Sequence, residues 1–528
     1  MSANKIGSNS NPTLIKALFD ADAYPHDVAS VRLIETHISW VFLTGQYAYK
    51  IKKPVNFGFL DFSTLEKRRF YCQEELRLNQ RLAKDWYLDV VPITGNPDHP
   101  KMNGKGAAIE YAVKMRQFPS AQTLTESAES GQLGAGEIDQ ITEIVVDFHD
   151  GIEKADALSP YGDSHGIKHW FDENFDHIKP LLDDKQQLLQ LEVIKAWSQD
   201  EWANKALLMQ QRRQQGYVRE CHGDLHLGNM TLINGRVVLF DCIEFNPMLR
   251  WIDVVSEVAF LVMDLVHLGY DGYAYRFLNR YLQHTGDYHG LALLRYYLVY
   301  RALVRAKVVL LRVAQNPDAV ICAQARSEYA IFANLAERFT KANRTVLIIT
   351  HGFSGSGKST YASQLAEQIG AMQIRSDLER KRLFGYSAQA TTNSGIDSGV
   401  YTKEAGEKTY NHLAELAKVV LDAGYSAIID AAFLKSGQRD LFRQLANECK
   451  VKFTIIAFQA TEETLCERIR QRQNDVSEAT VNVLYQQQQT AEPLSSSEQA
   501  HAVKVDTESD NALETVLAHL GKNLAQRT

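Results

Sequence analysis

The pattern of apolar and polar positions changes character twice along the chain. Between residues 38 and 53, ISWVFLTGQYAYKIKK is β-branched and aromatic, with TGQ as the turn of a hairpin. The next stretch, STLEKRRFYCQEELRLNQRLA (63–83), reads as a helix carrying Leu76, Leu78 and Leu82. Ser63, three residues ahead of Glu66, predicts a capping box at its start. AAIEYAVKMRQF (107–118) returns to strand. From about 136 to 340 the pattern is mostly helical, interrupted by short strands near 218–246. The Asn234-Gly235 pair within that interruption signals a tight hairpin.

Near residue 340 a different rhythm begins. Strand candidates recur at 346–350, 371–374, 426–430, 453–458 and 502–506, with helical segments between them. This alternation predicts a parallel, doubly wound α/β sheet. The expected organisation is two domains, 1–341 and 342–528, without an internal repeat.

Length and composition narrow the class. A chain of 528 residues exceeds one ordinary core. With 45% hydrophobic and 23% charged residues it has the make-up of a soluble globular protein. The net charge of −7 gives no electrostatic footprint for nucleic acid, so no such partner is expected. The most apolar of the long helix candidates, 291–313, carries Arg295, Arg301, Arg305, Lys307 and Arg312, which argues against a membrane span. Six cysteines without a CxxC pair, and a polar N-terminus without a signal segment, predict a cytoplasmic protein.

Two motifs carry the candidate chemistry. The first is GFSGSGKST (352–360), which fits G-x-x-x-x-G-K-[ST]. Gly352, Ser354, Gly355, Ser356, Gly357, Lys358, Ser359 and Thr360 make up a loop whose backbone N–H groups would cradle phosphates. Lys358 would reach the β/γ-phosphates and Ser359 would ligate Mg²⁺. A strand precedes the loop, and a helix with Ala362, Leu365, Ala366 and Ile369 on one face follows it, stopping at Gly370. Asp377, at the end of the second strand, is the candidate base for an attacking hydroxyl, or else the N-cap of the helix LERKRL. Asp430 ends a buried strand where it could orient Mg²⁺ or its waters. Arg468 and Arg472, four apart on one helix face, could neutralise a migrating phosphoryl group or form a solvated basic face.

The second motif is HGDLHLGNM (222–230). His222, Asp224 and His226 alternate, as metal ligands on a strand would. Gly223 and Gly228 favour a loop instead. Asp224 and Asn229 stand five apart, the spacing of the H-x-D-x-x-x-x-N catalytic loop, and VVLFDCIEF places Asp241 at a strand end nearby. In that reading Asp224 accepts or orients the proton of an acceptor hydroxyl. Asn229 and Asp241 hold Mg²⁺ between ATP phosphates. A strand lysine, Lys50 or Lys52, pairs the α/β-phosphates, and a helix glutamate, Glu75 or Glu74, holds it.

The first motif, with its strand-end SD, strand-end Asp and arginine lid, resembles the small P-loop kinases of the AAA-family ATPase type, such as gluconate kinase, polynucleotide kinase, chloramphenicol phosphotransferase and zeta toxin. The likeness covers about 345–510 and implies phosphoryl transfer from ATP to a hydroxyl. The second resembles the aminoglycoside phosphotransferase family, also called choline-kinase-like or protein-kinase-like, whose loop reads HGDxHxGN. That likeness covers roughly 25–335. It implies an α+β, bilobal, protein-kinase-like domain, with Asp253 as a structural aspartate opening a helix. Two departures stand out: Cys242 and Ile243 follow the metal aspartate, and no clear glycine-rich loop precedes AYKIKK. The whole arrangement, with YKIKKPVNFGFLDFSTLEKR and GFSGSGKST, is similar to a group of bacterial fusions of these two domain types. The expected function is therefore an ATP- and Mg²⁺-dependent phosphotransferase acting on a small hydroxylated molecule. Other readings are a nucleotide-regulated sensor with one catalytic domain, or polynucleotide 5′-kinase activity in the C-terminal domain.

Overall fold

In the computed structural model, residues 12–58, 60–118, 122–156, 158–315, 319–342, 344–387, 390, 402–471, 477 and 479–525 are described. The chain divides into two compact units. The first holds Met1–Asp264 and Tyr296–Ala336; the second holds Leu265–Arg295 and Glu337–Thr528. The helix Asp271–Thr285, which precedes the boundary expected at 342, thus belongs to the second unit.

The first unit opens with an antiparallel sheet of strands β1 (Arg32–Glu35), β2 (Ser39–Leu43), β3 (Tyr47–Lys52), β4 (Tyr87–Asn96), β5 (His99–Met102) and β6 (Ala108–Arg116). Their order is β1-β2-β3-β6-β4-β5. Both faces are buried, so β3 alternates between two cores. Tyr49 and Ile51 pack with Leu14, Leu18 and Tyr24 on one side. Ala48 packs with Cys72 and Ala83 of the helix Leu65–Ala83 on the other. Lys50 and Lys52 share the Ala48 side.

That helix begins one residue later than the pattern suggested. Thr64, not Ser63, is the N-cap, its hydroxyl accepting from Lys67 N at 3.3 Å. Ser63 is instead drawn to Asp61, whose Oδ1 takes both the backbone N–H and the hydroxyl of Ser63.

After the helices Ala135–Gly151, Ser164–Ile178 and Lys185–Gln214 come two small ladders. Strand β7 (Val218–Glu220) pairs with β10 (Trp251–Asp253), and β8 (Met230–Ile233) pairs with β9 (Arg236–Leu239). Asn234 (φ 50°) and Gly235 (φ 77°) make the β8–β9 turn in the left-handed conformation that an Asn-Gly pair favours. Asp253 accepts from Val255 N and opens the helix Val254–His267, while Arg212 grips it at 2.7 and 2.9 Å.

The second unit is a parallel sheet of β11 (Val346–His351), β12 (Ala371–Arg375), β13 (Ser426–Asp430), β14 (Lys452–Gln459) and β15 (Ala502–Asp506), ordered β12-β13-β11-β14-β15. One face is closed by the helices Lys358–Ile369 and Ala512–Ala525, through Ala362, Leu365, Ala366, Val516 and Leu520. The helices Lys403–Asp422 and Ser436–Glu448 also pack on the sheet and on each other. The order puts β11 in the middle, so the loop that leaves its carboxyl end sits where α/β sheets bind ligands. Gly370, at φ 67°, ends the helix after that loop. Among the described residues no helix is long and apolar enough to cross a membrane.

Candidate functional site

In the first unit HGDLHLGNM forms a loop pinned by buried groups rather than a converging set of metal ligands. Glu257, fully buried in the helix Val254–His267, accepts from His222 N at 3.0 Å and Gly223 N at 2.6 Å. Burial alone would raise its carboxyl, but His149 (3.2 Å) and these N–H groups hold it down to about 2. Arg301 donates to Gly223 O at 3.0 Å and to Ser256 O, and Asp264 accepts from Leu227 N at 2.9 Å. His222 is spent on the backbone: Nε2 lies 2.9 Å from Phe240 O, and Nδ1 accepts from Asp224 N. Both contacts suit a proton on Nε2 and a lone pair on Nδ1; burial opposes a second proton, whereas Cys242, Glu257 and Asp224 favour it and push the ring up to about 9.

His226 acts locally. Its Nδ1 accepts from Gly228 N at 3.0 Å, which leaves the proton on Nε2, 3.3 Å from Asp224 Oδ2. Asn229 Nδ2 reaches the same carboxylate oxygen at 2.9 Å and Asp224 O at 3.0 Å. Asp224 is half-buried. Burial opposes its ionisation, yet the paired His226 keeps the carboxyl well below the usual range. With its amide N–H₂ committed to Asp224, Asn229 has its oxygen left as a ligand atom.

Asp241 follows β9 with a left-handed backbone (φ 65°). Tyr87 Oη accepts from its N–H at 3.3 Å, and Asn79 Oδ1 accepts from Cys242 N at 2.9 Å, so the helix Leu65–Ala83 and β4 shape this turn. Its carboxylate, 42% exposed, lies 2.5 Å from Lys50 Nζ. The two β3 lysines share one partner. Lys50 Nζ is 2.8 Å from Glu75 Oε1, and Lys52 Nζ is 2.7 Å from Glu75 Oε2. Glu74 points elsewhere, to Arg77 and Arg250. Lys52 also pairs with Glu244, which follows the Asp241 turn. Burial would raise Glu75, but the two ammonium groups hold it down to about 2. Glu244, which shares this network, is instead raised by its burial. Lys50 is thus placed between the helix glutamate and Asp241, while Lys52 ties β3 to the Asp241 segment.

Asn229 and Asp241 offer an amide and a carboxylate oxygen, hard donors of the kind Mg²⁺ takes. A nearby cluster of His149, Cys221 and Glu257 has ligand atoms within 4.8 Å of one another. Glu257 is already saturated by the loop and His149, so the cluster reads as the loop's brace.

In the second unit, Gly352 to Thr360 turn from β11 into the helix Lys358–Ile369. Two glycines are required by shape. At Gly352 (φ 149°) a Cβ would meet Phe458 O at 2.6 Å, and at Gly355 (φ 84°) it would meet Leu465 O at 2.6 Å. Gly357 (φ 81°) is the helix N-cap and Ser356 is buried behind it. Lys358 Nζ curls over the loop, 2.7 Å from Phe353 O and 3.5 Å from Ser356 Oγ. Ser354 N donates to Gln487 Oε1 at 2.9 Å. Thr360 is exposed.

Asp430, the last residue of β13, is buried beside the loop, joined to Ser359 through Gln373, whose Nε2 lies 3.4 Å from Ser359 O. Burial pushes its carboxyl up, against the pull of Arg375 at 3.8 Å. Gln373 Nε2 donates to Asp430 Oδ2 at 3.1 Å. The Ser359 hydroxyl and Asp430 carboxylate again form an oxygen pair suited to Mg²⁺. Asp377 is half-buried in the first turn of the helix Ser376–Leu383. It is not that helix's N-cap, because the chain enters the helix straight from β12 and Arg375 takes the cap position. Arg468 donates to Thr507 Oγ1 at 2.8 Å and Thr507 O at 3.0 Å, and stands 3.5 Å from Gly355 O of the loop. Arg472 lies outside the described residues.

Motif spacing did not reveal Glu244, Glu257, Arg301 or Gln373. Each is an ordinary-looking residue far along the chain from the group it supports. The one available hint was chemical: a charged residue inside an apolar run, as Glu257 is in VVSEVAFLV.

Comparison with known proteins locates the domain that carries the phosphate loop. Residues 347–494 match the family described as an AAA domain. The uncharacterized proteins Rv2004c of Mycobacterium tuberculosis and Mb2027c of Mycobacterium bovis are each 29% identical over 466 residues, covering 88% of this chain and 90% of theirs. Among solved structures, a gluconokinase from Sinorhizobium meliloti aligns over 35% of this chain and 99% of its own, at 21% identity and a TM-score of 0.26. A choline/ethanolamine kinase family protein from Mesorhizobium loti aligns over 59% of this chain and 93% of its own, at 12% identity and a TM-score of 0.35. The C-terminal part of the chain is an AAA-type P-loop domain: the family match and the β11–loop–helix geometry agree on it.

Proposed function

We propose that the chain is a two-site phosphotransferase, each unit binding Mg-ATP and passing the γ-phosphoryl group to a hydroxyl of a small molecule. The observation that carries this reading is the glycine-built loop with Lys358 curled over it, tied through Gln373 to Asp430 at the carboxyl edge of the parallel sheet, within the matched domain. The first unit supports it independently, through Asp224, Asn229, Asp241, Lys50 and Glu75 gathered in protein-kinase-like roles.

In each site the acceptor oxygen forms a bond to the γ-phosphorus as the bond to the ADP oxygen breaks. Mg²⁺ bound with ATP would supply charge neutralisation across the phosphates. Lys358 and the loop N–H groups bind the phosphates in the second unit, and Lys50 does so in the first. The acceptor's proton goes to Asp377 or to Asp224. The Asp224 carboxyl is held below its usual range, which favours the form that accepts a hydrogen bond from the hydroxyl. Its role is to orient the hydroxyl and to take the proton late, which a loose transition state permits.

Nucleotide stoichiometry tests the reading. Equilibrium dialysis with ATP and Mg²⁺ should show two nucleotides per chain in the wild type and one in Lys358→Ala. A single nucleotide per chain that Lys358→Ala leaves in place would refute it.

A further inference from the structure

We infer that the helix Asp271–Thr285 is a working part of the second unit's phosphoryl-transfer site, with Gln283 as a positioning residue that acts through Gln373 on Asp430. This rests on reading that unit as a Mg-ATP phosphotransferase.

Strand β12 is the edge of the parallel sheet, so its outer backbone groups lack a neighbouring strand. Asn279 supplies the missing partner. Its Nδ2 donates to Ala371 O at 2.9 Å and its Oδ1 accepts from Gln373 N at 2.7 Å. The side-chain amide thereby copies one peptide of an absent strand, and it sets the helix in register with β12. Four residues on, one helical turn along the same face, comes Gln283. Its Nε2 donates to Gln373 Oε1 at 3.2 Å.

Gln373 is 2% exposed and spans from this helix to the nucleotide loop. Its Nε2 donates to Asp430 Oδ2 at 3.1 Å and lies 3.4 Å from Ser359 O. The two ends of a glutamine amide are nearly alike in shape. Only hydrogen bonding decides which end faces Asp430. By occupying Oε1 with a donor, Gln283 keeps the N–H₂ end on the carboxylate. If the amide turned over, a carbonyl oxygen would face a carboxylate oxygen, and the metal-orienting group would swing away from Ser359. Partners that orient a ligand in this way affect metal affinity about 10- to 100-fold.

The test uses the full chain and a fluorescent ATP analogue titrated with Mg²⁺, counting only the signal that Lys358→Ala abolishes. In Gln283→Met the Mg²⁺ concentration for half-maximal tightening should rise about tenfold, the low end of that range, with binding in EDTA unchanged. Gln283→Glu should raise it at least as much, although it keeps shape and polarity, because a carboxylate cannot donate to Gln373 Oε1. A role in packing alone would lower the melting temperature and leave the Mg²⁺ requirement at the wild-type value in both variants, which would overturn the inference. If Lys358→Ala abolishes no signal in the wild-type background, the proposed function of the second unit fails first, and the inference with it.

Discussion

Lys52 Nζ lies 2.7 Å from Glu75 Oε2 in a fully buried ion pair, on the same carboxylate that holds Lys50 through its other oxygen. The two lysines differ in what else they touch. Lys50 faces the half-buried Asp241, whereas Lys52 is closed off by Glu244. Lys52→Met should therefore be the structural lesion. It leaves Glu244 and Glu75 buried with less positive charge, and removing one partner of such a group costs about 3–5 kcal/mol. Lys50→Met should cost less stability and weaken nucleotide binding in the first unit. Thermal unfolding and ATP titration of both variants check this, and Lys52→Met/Glu244→Gln should regain part of the lost stability.

The same carboxylate sets an acid limit. Glu75 is lowered from its ordinary 4.5 to about 2. A carboxyl with a depressed folded-state value contributes stability above its unfolded value, and this is lost as pH falls through the folded one. The stability difference between wild type and Glu75→Gln should be largest above pH 4.5 and shrink from there towards pH 2. Denaturant midpoints measured down that range decide it; a gap that widens on acidification would contradict the pairing.

Glu257→Gln should injure the first site without touching any reacting atom. Gln can accept from only one of His222 N and Gly223 N, and a stranded buried N–H costs about 1–3 kcal/mol. The expected result is a lower melting temperature together with loss of the reaction that depends on Asp224, while reactions that depend on Lys358 persist.

Asn279→Leu should lower the stability of the second unit by about 2–4 kcal/mol, since Ala371 O and Gln373 N both lose a partner on an edge strand. Differential scanning calorimetry of the full chain would show the transition that nucleotide stabilises moving down.

The contiguous motifs were legible in the sequence because their chemistry is local. Gly352 to Thr360, and Asp224 with Asn229, are set by spacing within one loop, and Asn234-Gly235 needed only its own backbone preference. Long-range pairing was not legible. Lys52 meets Glu244 across 192 positions, and nothing in AYKIKK says that both lysines share Glu75. The N-cap moved from Ser63 to Thr64 because Asp61 competes for Ser63, a contest between neighbours that a capping pattern does not weigh. Chain order also placed the helix Asp271–Thr285 with the first domain. Its packing is decided by Asn279 on an edge strand whose existence depends on a sheet encoded later.

Two distinct phosphotransferase sites on one chain should lose their activities separately. A screen of small hydroxylated metabolites with radiolabelled ATP, run on wild type, Asp224→Ala and Lys358→Ala, separates them. Two sites require ATP-dependent phosphorylation by the wild type, with each variant losing a different activity and keeping the other. Phosphoryl transfer that survives intact in both variants, or that Asp224→Ala never diminishes, would contradict that requirement.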